Sequence, residues 1–328
     1  MSELRWHPLL EEWVVTATHR QERTFFPPAD YCPLCPTKPG GFSTEVPEAN
    51  YDVVVLENRF PSFLANPPEP AVSGHELTPV MPAQGICEVV LYSPQHDATL
   101  VSLGRETVYK LVQVWRDRYE ELGARPDIKY VFIFENRGAE VGVTLTHPHG
   151  QIYSFSYIPP IPQRELASMW KHWQQTGRCL LCDLLRREAE EGMRLVSQYG
   201  GFYALVPFYA RFPYEVHIVP ETHCGSLSEL SENEDWELAG AVYDIVARYD
   251  ALFSNPMPYM MMLHQSPTDG GDYVYHHFHI EFYPLRRAAN KLKYRAGCES
   301  GAGTFITDAL PEDWAAQLRQ VGAGSVVA

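Results

Sequence analysis

Apolar residues recur with a helical period at two places in the chain. Val108, Leu111, Val112, Trp115, Tyr119 and Leu122 fall on one face of a predicted helix, and Trp236, Ala239, Val242, Ile245, Val246, Tyr249 and Phe253 on one face of another. Ser102 and Ser231 stand where N-caps belong. Short apolar stretches of strand length surround each helix: residues 53–57, 87–93 and 130–134 about the first, and 203–207, 214–219 and 259–263 about the second. The order strand, strand, helix, strand therefore occurs twice.

Chemically distinctive residues keep the same order in both copies. Cys32 and Cys35 come first, His96 precedes the helix, and His147 and His149 follow the last strand; Cys179, Cys182, His223, His277 and His279 take the corresponding places in the second copy. Leu100 and Leu103 follow His96 at +4 and +7, as Leu227 and Leu230 follow His223. Asn136 and Gln265 each lie six residues past a strand-opening tyrosine, Tyr130 and Tyr259. This pattern predicts an α+β fold of two antiparallel-sheet halves in tandem, each with one long helix against a face, related by a pseudo-twofold. The prolines of IPPIPQ, residues 158–163, interrupt helix and strand alike and set the boundary, giving halves of 1–160 and 161–328. With no low-complexity linker between them, the halves are expected to pack as one body. The Gly/Ser/Ala-rich tail after Arg319 is expected to fray.

Composition narrows the classes of function. The 328 residues are 45% hydrophobic and 20% charged, as in soluble globular proteins, and apolar runs such as 259–263 are too short to span a bilayer. The opening MSELRWHPLLEEW lacks the basic start and clean apolar stretch of a signal peptide, which points to the cytoplasm. A formal charge of −15 opposes binding of a nucleic-acid backbone, so any nucleotide partner is a small one. Two of the spacings among the seven cysteines are C-x-x-C, and in a reducing compartment such pairs read as metal ligands before disulfides.

Each copy supplies the donors of a tetrahedral zinc site: Cys32, Cys35, His96 and His147 in the first, and Cys179, Cys182, His223 and His277 in the second. Four protein ligands leave no position for water, so two structural zinc ions per chain are expected. On a strand, His147, His149 and Gln151 share a face, and Gly150 keeps the backbone slim beside a phosphate. A neutral imidazole near pH 7 is a competent nucleophile toward phosphorus.

Thr146-His147-Pro148-His149-Gly150-Gln151 resembles the H-P-H-G-Q active-site strand of the galactose-1-phosphate uridylyltransferase family, in the histidine-triad superfamily. The resemblance covers nearly the whole chain and implies a duplicated histidine-triad-like fold with His149 as covalent nucleophile. Gln151 would donate a hydrogen bond to the phosphoryl group, where simple hydrolases of the superfamily have a histidine. In His19-Arg20-x-x-Arg23, Arg20 and Arg23 match arginines that hold phosphate across a dimer interface. Asn58, in Glu57-Asn58-Arg59-Phe60, matches a contact to uridine and ribose, although Arg59 replaces the family's Asp. Asn136 would lie beside the nucleotide phosphates, Thr144 stands where the family often has a phosphate-binding Ser, and Lys293 matches a segment of the partner subunit that closes over the sugar phosphate. Implied with these are a homodimer with composite sites, nucleotide-sugar and sugar 1-phosphate substrates, and ping-pong transfer of UMP from UDP-glucose to galactose 1-phosphate.

The departures lie in the second half. Some family members hold a second metal on a Glu and three His; Glu165, His264 and His279 match three of those places, but Glu281 stands at the fourth. Glu281 also occupies the repeat position of Gln151, and His279 that of His149. A carboxylate there would repel phosphate, so the second half is expected to be catalytically silent. The second C-x-x-C with His223 and His277 resembles the two-zinc pattern of ADP-glucose phosphorylase, which makes an ADP-sugar phosphorylase the alternative activity. A nucleotide-sensing zinc scaffold is the non-enzymatic alternative. The pairing of Gly150 with Gln151 argues against it, because packing requires neither.

Overall fold

Residues 2–22 and 31–322 are described by a computed structural model of the chain. An N-terminal hairpin of β1 (Ser2–His7) and β2 (Glu12–Ala17) is extended by β4 (Val80–Pro82) into a small sheet. The first half continues with β3 (Val54–Glu57), β5 (Gly85–Leu91), α1 (Leu100–Leu103), α2 (Arg105–Gly123), β6 (Tyr130–Arg137) and β7 (His149–Phe155). The second contains α3 (Pro160–Thr176), α4 (Leu180–Glu191), β8 (Leu195–Tyr199), β9 (Phe202–Leu205), β10 (Val216–Pro220), α5 (Glu232–Leu252), β11 (Tyr259–His264) and β12 (His279–Pro284). A short ribbon of β13 (Arg286–Ala288) and β14 (Lys291–Leu292), then α6 (Gly297–Gly301) and α7 (Pro311–Gly322), complete the described chain.

The two halves share one antiparallel sheet of nine strands in the order β3-β5-β7-β6-β11-β12-β10-β9-β8. Its centre is the β6–β11 ladder, and the order reads alike outward from there in either direction. Phe134 pairs with Gln151 on β7, and Met262 pairs with Glu281 on β12. Phe134 and Met262 are therefore equivalent, and they pair with each other, so the pseudo-twofold passes through that pair. This register corrects the equivalence expected from spacing: the counterpart of Asn136 is His264, not Gln265.

Both long helices cover the same face of the sheet. The apolar stripe of α2, from Val108 to Leu122, and that of α5, with Val242, Ile245, Val246 and Tyr249, are buried against Ile133, Ile152, Met261 and Ile280. The opposite face stays partly open along β7, where His149, Gln151, Tyr153 and Phe155 are half-buried and Gly150, Ile152 and Ser154 are buried. That alternation is the strand period of two, and it separates the functional face from the core.

Local chemistry departs from expectation at three points. Ser102 does not cap α2, which starts from Gly104 without a side-chain cap; it lies in α1, where it and the N-cap Thr99 each take the other's backbone N–H. Ser231 does cap α5, with Glu234 completing the box. The prolines after residue 158 begin a helix instead of interrupting one, because Pro160 sits in the first turn, where the missing N–H is not needed. Near the C-terminus α7 runs on past Arg319 to Gly322, its Trp314 and Leu318 packed into the core.

Arg116 ties the helices of the two halves together. Its Nε and Nη2 donate to the carbonyls of Leu227 and Leu230 at 3.0 and 2.7 Å, and it pairs with Asp235, which is buried in the first turn of α5. Burial pushes the Asp235 carboxyl up to about 6 against the pull of Arg116. Arg116→Ala strands that carboxylate and two carbonyls, and is expected to cost about 3 kcal/mol of stability at neutral pH. Urea denaturation reads this as a lower midpoint, and a midpoint equal to that of the unaltered chain would contradict it.

Candidate active site and metal centres

Cys32, Cys35, His96 and His147 converge so that one ligand atom from each lies within 4.8 Å of all the others, and Cys179, Cys182, His223 and His277 do the same. In both clusters the histidines present Nδ1 to sulfur. His96 and His147 reach Cys35 Sγ at 3.3 and 3.5 Å; His223 and His277 reach Cys182 Sγ at 3.5 and 3.3 Å. The other ring nitrogen is held by oxygen in every case: Nε2 of His147 lies 2.8 Å from the Ser93 carbonyl, that of His277 3.1 Å from the Pro220 carbonyl, that of His223 3.0 Å from the Val274 carbonyl, and that of His96 3.1 Å from Thr146 Oγ1. A proton on Nε2 leaves the Nδ1 lone pair directed at the cluster, which is how a metal-binding imidazole is oriented.

The electrostatics agree with that donor set. Burial pushes the His147 imidazole down to about 4, so it stays neutral, as a ligand must. The Cys179 thiol is held down to about 3, first by its hydrogen bond with Cys182 and then by His277, while that same bond and burial push Cys182 up. Two sulfurs and two imidazole nitrogens in one cluster are a donor set that a divalent ion takes. The residues fit zinc.

The first cluster leads directly to His149. Its Nδ1 lies 2.7 Å from the carbonyl oxygen of His147, so Nδ1–H donates there and the lone pair resides on Nε2. His149 also lines a cavity of about 770 Å³ with Asn136, Thr144, Tyr92, Glu135 and Arg286. Gln151 lies on the same face of β7, its Oε1 accepting from the Tyr153 hydroxyl at 3.4 Å. Gly150 serves the other face. A Cβ there would stand 2.5 Å from the Tyr92 hydroxyl and 3.3 Å from the Phe134 carbonyl oxygen, so it is the core beneath the strand, and not a phosphate above it, that requires glycine.

The remaining expected residues divide into two groups. Arg20 donates to the Phe60 carbonyl at 3.3 Å and to the Ser62 hydroxyl, and lies 3.5 Å from the Tyr153 hydroxyl, which puts it beside the β7 of its own chain. Asn58 turns its Oδ1 back to the Phe60 N–H at 2.9 Å, shaping the loop after β3. Arg23 lies outside the described residues. Lys293 does not join the group around His149; it pairs with Glu299 at 3.0 Å and lines a separate cavity of about 100 Å³ with Arg211 and Arg287.

A third cluster occupies the equivalent place in the second half. Donor atoms of Glu165, His264, His279 and Glu281 lie within 4.8 Å of one another, and His279 Nδ1 reaches the His277 carbonyl at 3.0 Å, as His149 does that of His147. Sequence reasoning missed His217, which pairs across the β10–β12 ladder with Glu281 and lies 3.2 Å from it and 3.0 Å from Glu215. Its signal was there to read, because Glu215 and His217 alternate on a strand facing Glu281. Burial alone would raise the Glu281 carboxyl, but His217, His264 and His279 hold it well below the usual range. Burial is likewise outweighed at His264, which Glu165 and Glu281 carry up to about 9. Two carboxylates and two histidines are a donor set that metals take, and here the same atoms also satisfy one another.

A Cys/His cluster abutting a strand whose histidine lines a cavity, duplicated without its glutamine, defines a protein built like the nucleotidylyltransferases of the histidine-triad type. The chain belongs to the galactose-1-phosphate uridyl transferase family, whose N-terminal domain description matches residues 1–159 and whose C-terminal domain description matches residues 165–324. A galactose-1-phosphate uridylyltransferase of Thermotoga maritima is 43% identical over 323 residues, covering 98% of each chain. That of Haemophilus influenzae is 32% identical over 96% of this chain and 93% of its own. A solved uridylyltransferase superposes with a TM-score of 0.88 at 35% identity, covering 99% of this chain and 100% of its own. An ADP-glucose phosphorylase of Arabidopsis thaliana shares the fold with a TM-score of 0.72 at 24% identity, covering 98% of each chain.

Proposed function

We propose that the chain transfers UMP from UDP-glucose to galactose 1-phosphate through a covalent uridylyl-His149. The observation that carries this reading is the 2.7 Å contact from His149 Nδ1 to the His147 carbonyl, which commits the lone pair to Nε2 at the edge of the large cavity. In the first step Nε2 attacks the α-phosphorus; the N–P bond forms, the P–O bond to the hexose phosphate breaks, and glucose 1-phosphate leaves with the electron pair. In the second, a phosphate oxygen of galactose 1-phosphate attacks, the N–P bond breaks, and the pair returns to Nε2. The Nδ1–H bond to the carbonyl persists throughout and supports the positive charge on the modified ring. Gln151, Arg20, Asn136 and Thr144 stabilise the phosphoryl oxygens, a task in which fixed donors outperform water. The identity of 43% across the full chain favours uridylyl over adenylyl transfer.

Zinc on the two Cys/His clusters is structural: when bound, it fixes the peptide that carries the His147 carbonyl and, in the second half, the matching peptide of His277. The second half takes no part in the chemistry. Lys293 acts in a neighbouring chain, which makes the enzyme a cytoplasmic homodimer with composite sites; among the described residues no helix is long and apolar enough to cross a membrane.

Incubation with UDP-glucose alone is expected to add UMP to one residue per chain. Peptide mapping should find the adduct on His149, acid-labile and base-stable as a phosphoramidate is, and His149→Ala should abolish it while the zinc is retained. An adduct on another residue, or AMP accumulating from ADP-glucose instead, overturns the assignment.

Elemental analysis is expected to find about two zinc ions per chain. Cys32→Ser should lose one ion together with thermal stability and activity, and His277→Ala one ion and stability, because a closed zinc site contributes folding energy directly. A ratio near zero refutes both clusters as zinc sites, and a ratio near three assigns an ion to the third.

Chains carrying His149→Ala and chains carrying Lys293→Ala, each poorly active alone, should regain activity when mixed and allowed to exchange subunits. A fully active monomer in sedimentation excludes the composite site.

A further inference from the structure

On the core face of the sheet, at the wall of the cavity that His149 lines, stands a buried carboxylate for which the proposed zinc clusters and phosphoryl transfer have no use. Glu135, on β6, is 5% exposed; it accepts hydrogen bonds from the hydroxyls of Tyr92 at 2.8 Å and Tyr259 at 2.9 Å. Burying a carboxylate is costly, and two phenols beside a core of aliphatic side chains only partly offset it. Burial accordingly pushes this carboxyl above its usual range against the pull of both tyrosines. A leucine would fill the position at less cost.

The internal repeat shows what this stretch of sheet looks like without the nucleophile's surroundings. By the ladder registers, Glu135 corresponds to Leu263 and Gly150 to Ile280; Leu263 and Ile280 pair across β11–β12 and are both fully buried. The half with the H-P-H-G-Q strand replaces that apolar pair with a carboxylate and a glycine. The glycine admits the Tyr92 hydroxyl, which would lie 2.5 Å from any Cβ at residue 150. Tyr92 also binds the strand directly, its backbone N–H donating to the Pro148 carbonyl at 3.2 Å. Tyr92 therefore touches the residues on both sides of His149, and Glu135 fixes the hydroxyl of Tyr92. Through Tyr259, on β11, the same carboxylate anchors the arrangement to the second half.

We propose that Glu135 is a positioning residue for His149, acting through the Tyr92 hydroxyl to hold the Pro148–Gly150 backbone so that Nε2 faces the cavity. The proposal rests on the reading of His149 as nucleophile. It explains why a buried charge and a glycine occur together where the second half has leucine and isoleucine. A small displacement of a nucleophile is enough to matter, since about 1 Å of misplacement can cost about a hundredfold in rate.

The test is the rate at which UDP-glucose alone loads UMP onto the full chain, read by rapid mixing and intact mass. Tyr92→Phe and Glu135→Gln are each expected to load about tenfold or more slowly at saturating UDP-glucose, with the half-saturating concentration changed by less than about twofold. The double variant should be no slower than the slower single one, as for residues acting in one chain of contacts. Because either single change orphans a buried polar group, a third variant separates positioning from stability. Tyr92→Phe/Glu135→Leu/Tyr259→Phe replaces the trio with apolar groups, the leucine being the residue the second half has at that place, and should keep its thermal midpoint yet still load slowly. Loading at the unaltered rate by that variant, or by both single variants, overturns the proposal, as does a slowing matched by a rise in the half-saturating concentration. An unaltered chain that acquires no adduct refutes the functional reading itself, and this proposal with it.

Discussion

His147 is held at both ends, and the geometry of His149 depends on it. Its ring is 1% exposed, with Nε2 fixed by the Ser93 carbonyl and Nδ1 turned to Cys35, so its backbone cannot rotate without breaking the cluster. Its carbonyl takes the Nδ1–H of His149, and that one bond selects the tautomer and the ring plane of the next histidine on the strand. A histidine placed two residues from a closed Cys/His cluster inherits the rigidity of the cluster without belonging to it. His149 can therefore remain half-buried at a cavity edge with its ring orientation fixed.

Much of this was legible in the sequence, for identifiable reasons. Cysteine pairs and histidines are scarce, and their order survived duplication, so both clusters could be drawn before any strand was paired. The helices were legible because a six-residue apolar stripe on α2 has few competing explanations. Less legible was anything set by register. Spacing matched Asn136 with Gln265, and only the ladders show that the counterpart is His264, because the tyrosines counted from are themselves out of step: Tyr259 corresponds to Val131, not to Tyr130. The fusion of the halves into one sheet was hidden for the same reason: nothing in β6 or β11 alone says that each will pair with the other. The prolines after residue 158 misled in a different way, since proline ends a helix and begins one equally well.

Duplication also explains the distribution of charge. At the position of Val89 the second half has His217, and at that of Gln151 it has Glu281; the two new residues face each other across the β10–β12 ladder. Neither change is tolerable alone, because a buried carboxylate or imidazolium without its partner costs about 3–5 kcal/mol. Together, with His264 and Arg211 also near Glu281, they form a network that pays its own desolvation. The second half thus became polar in its interior without exposing a nucleophile.

The same comparison accounts for what the first half must avoid. A charged partner at Val89 would draw the Gln151 amide toward the sheet, whereas an apolar neighbour leaves the strand's own alternation to decide where the amide lies. Val89 and Leu91, both buried on β5 opposite Gln151 and His149, supply that neutrality. The charged groups of the first half stand off the face of Gln151: Glu135 is on the core side of the sheet, satisfied by phenols although it also lines the cavity of His149, and Arg20 lies at the side, reached through Tyr153. Asp97 and Glu140 line that cavity too, with Arg137 and Arg286 among the same residues, so its wall carries both signs of charge. The strand period places Glu135 and Gln151 on opposite faces of the sheet, and it is the simplest feature of the sequence.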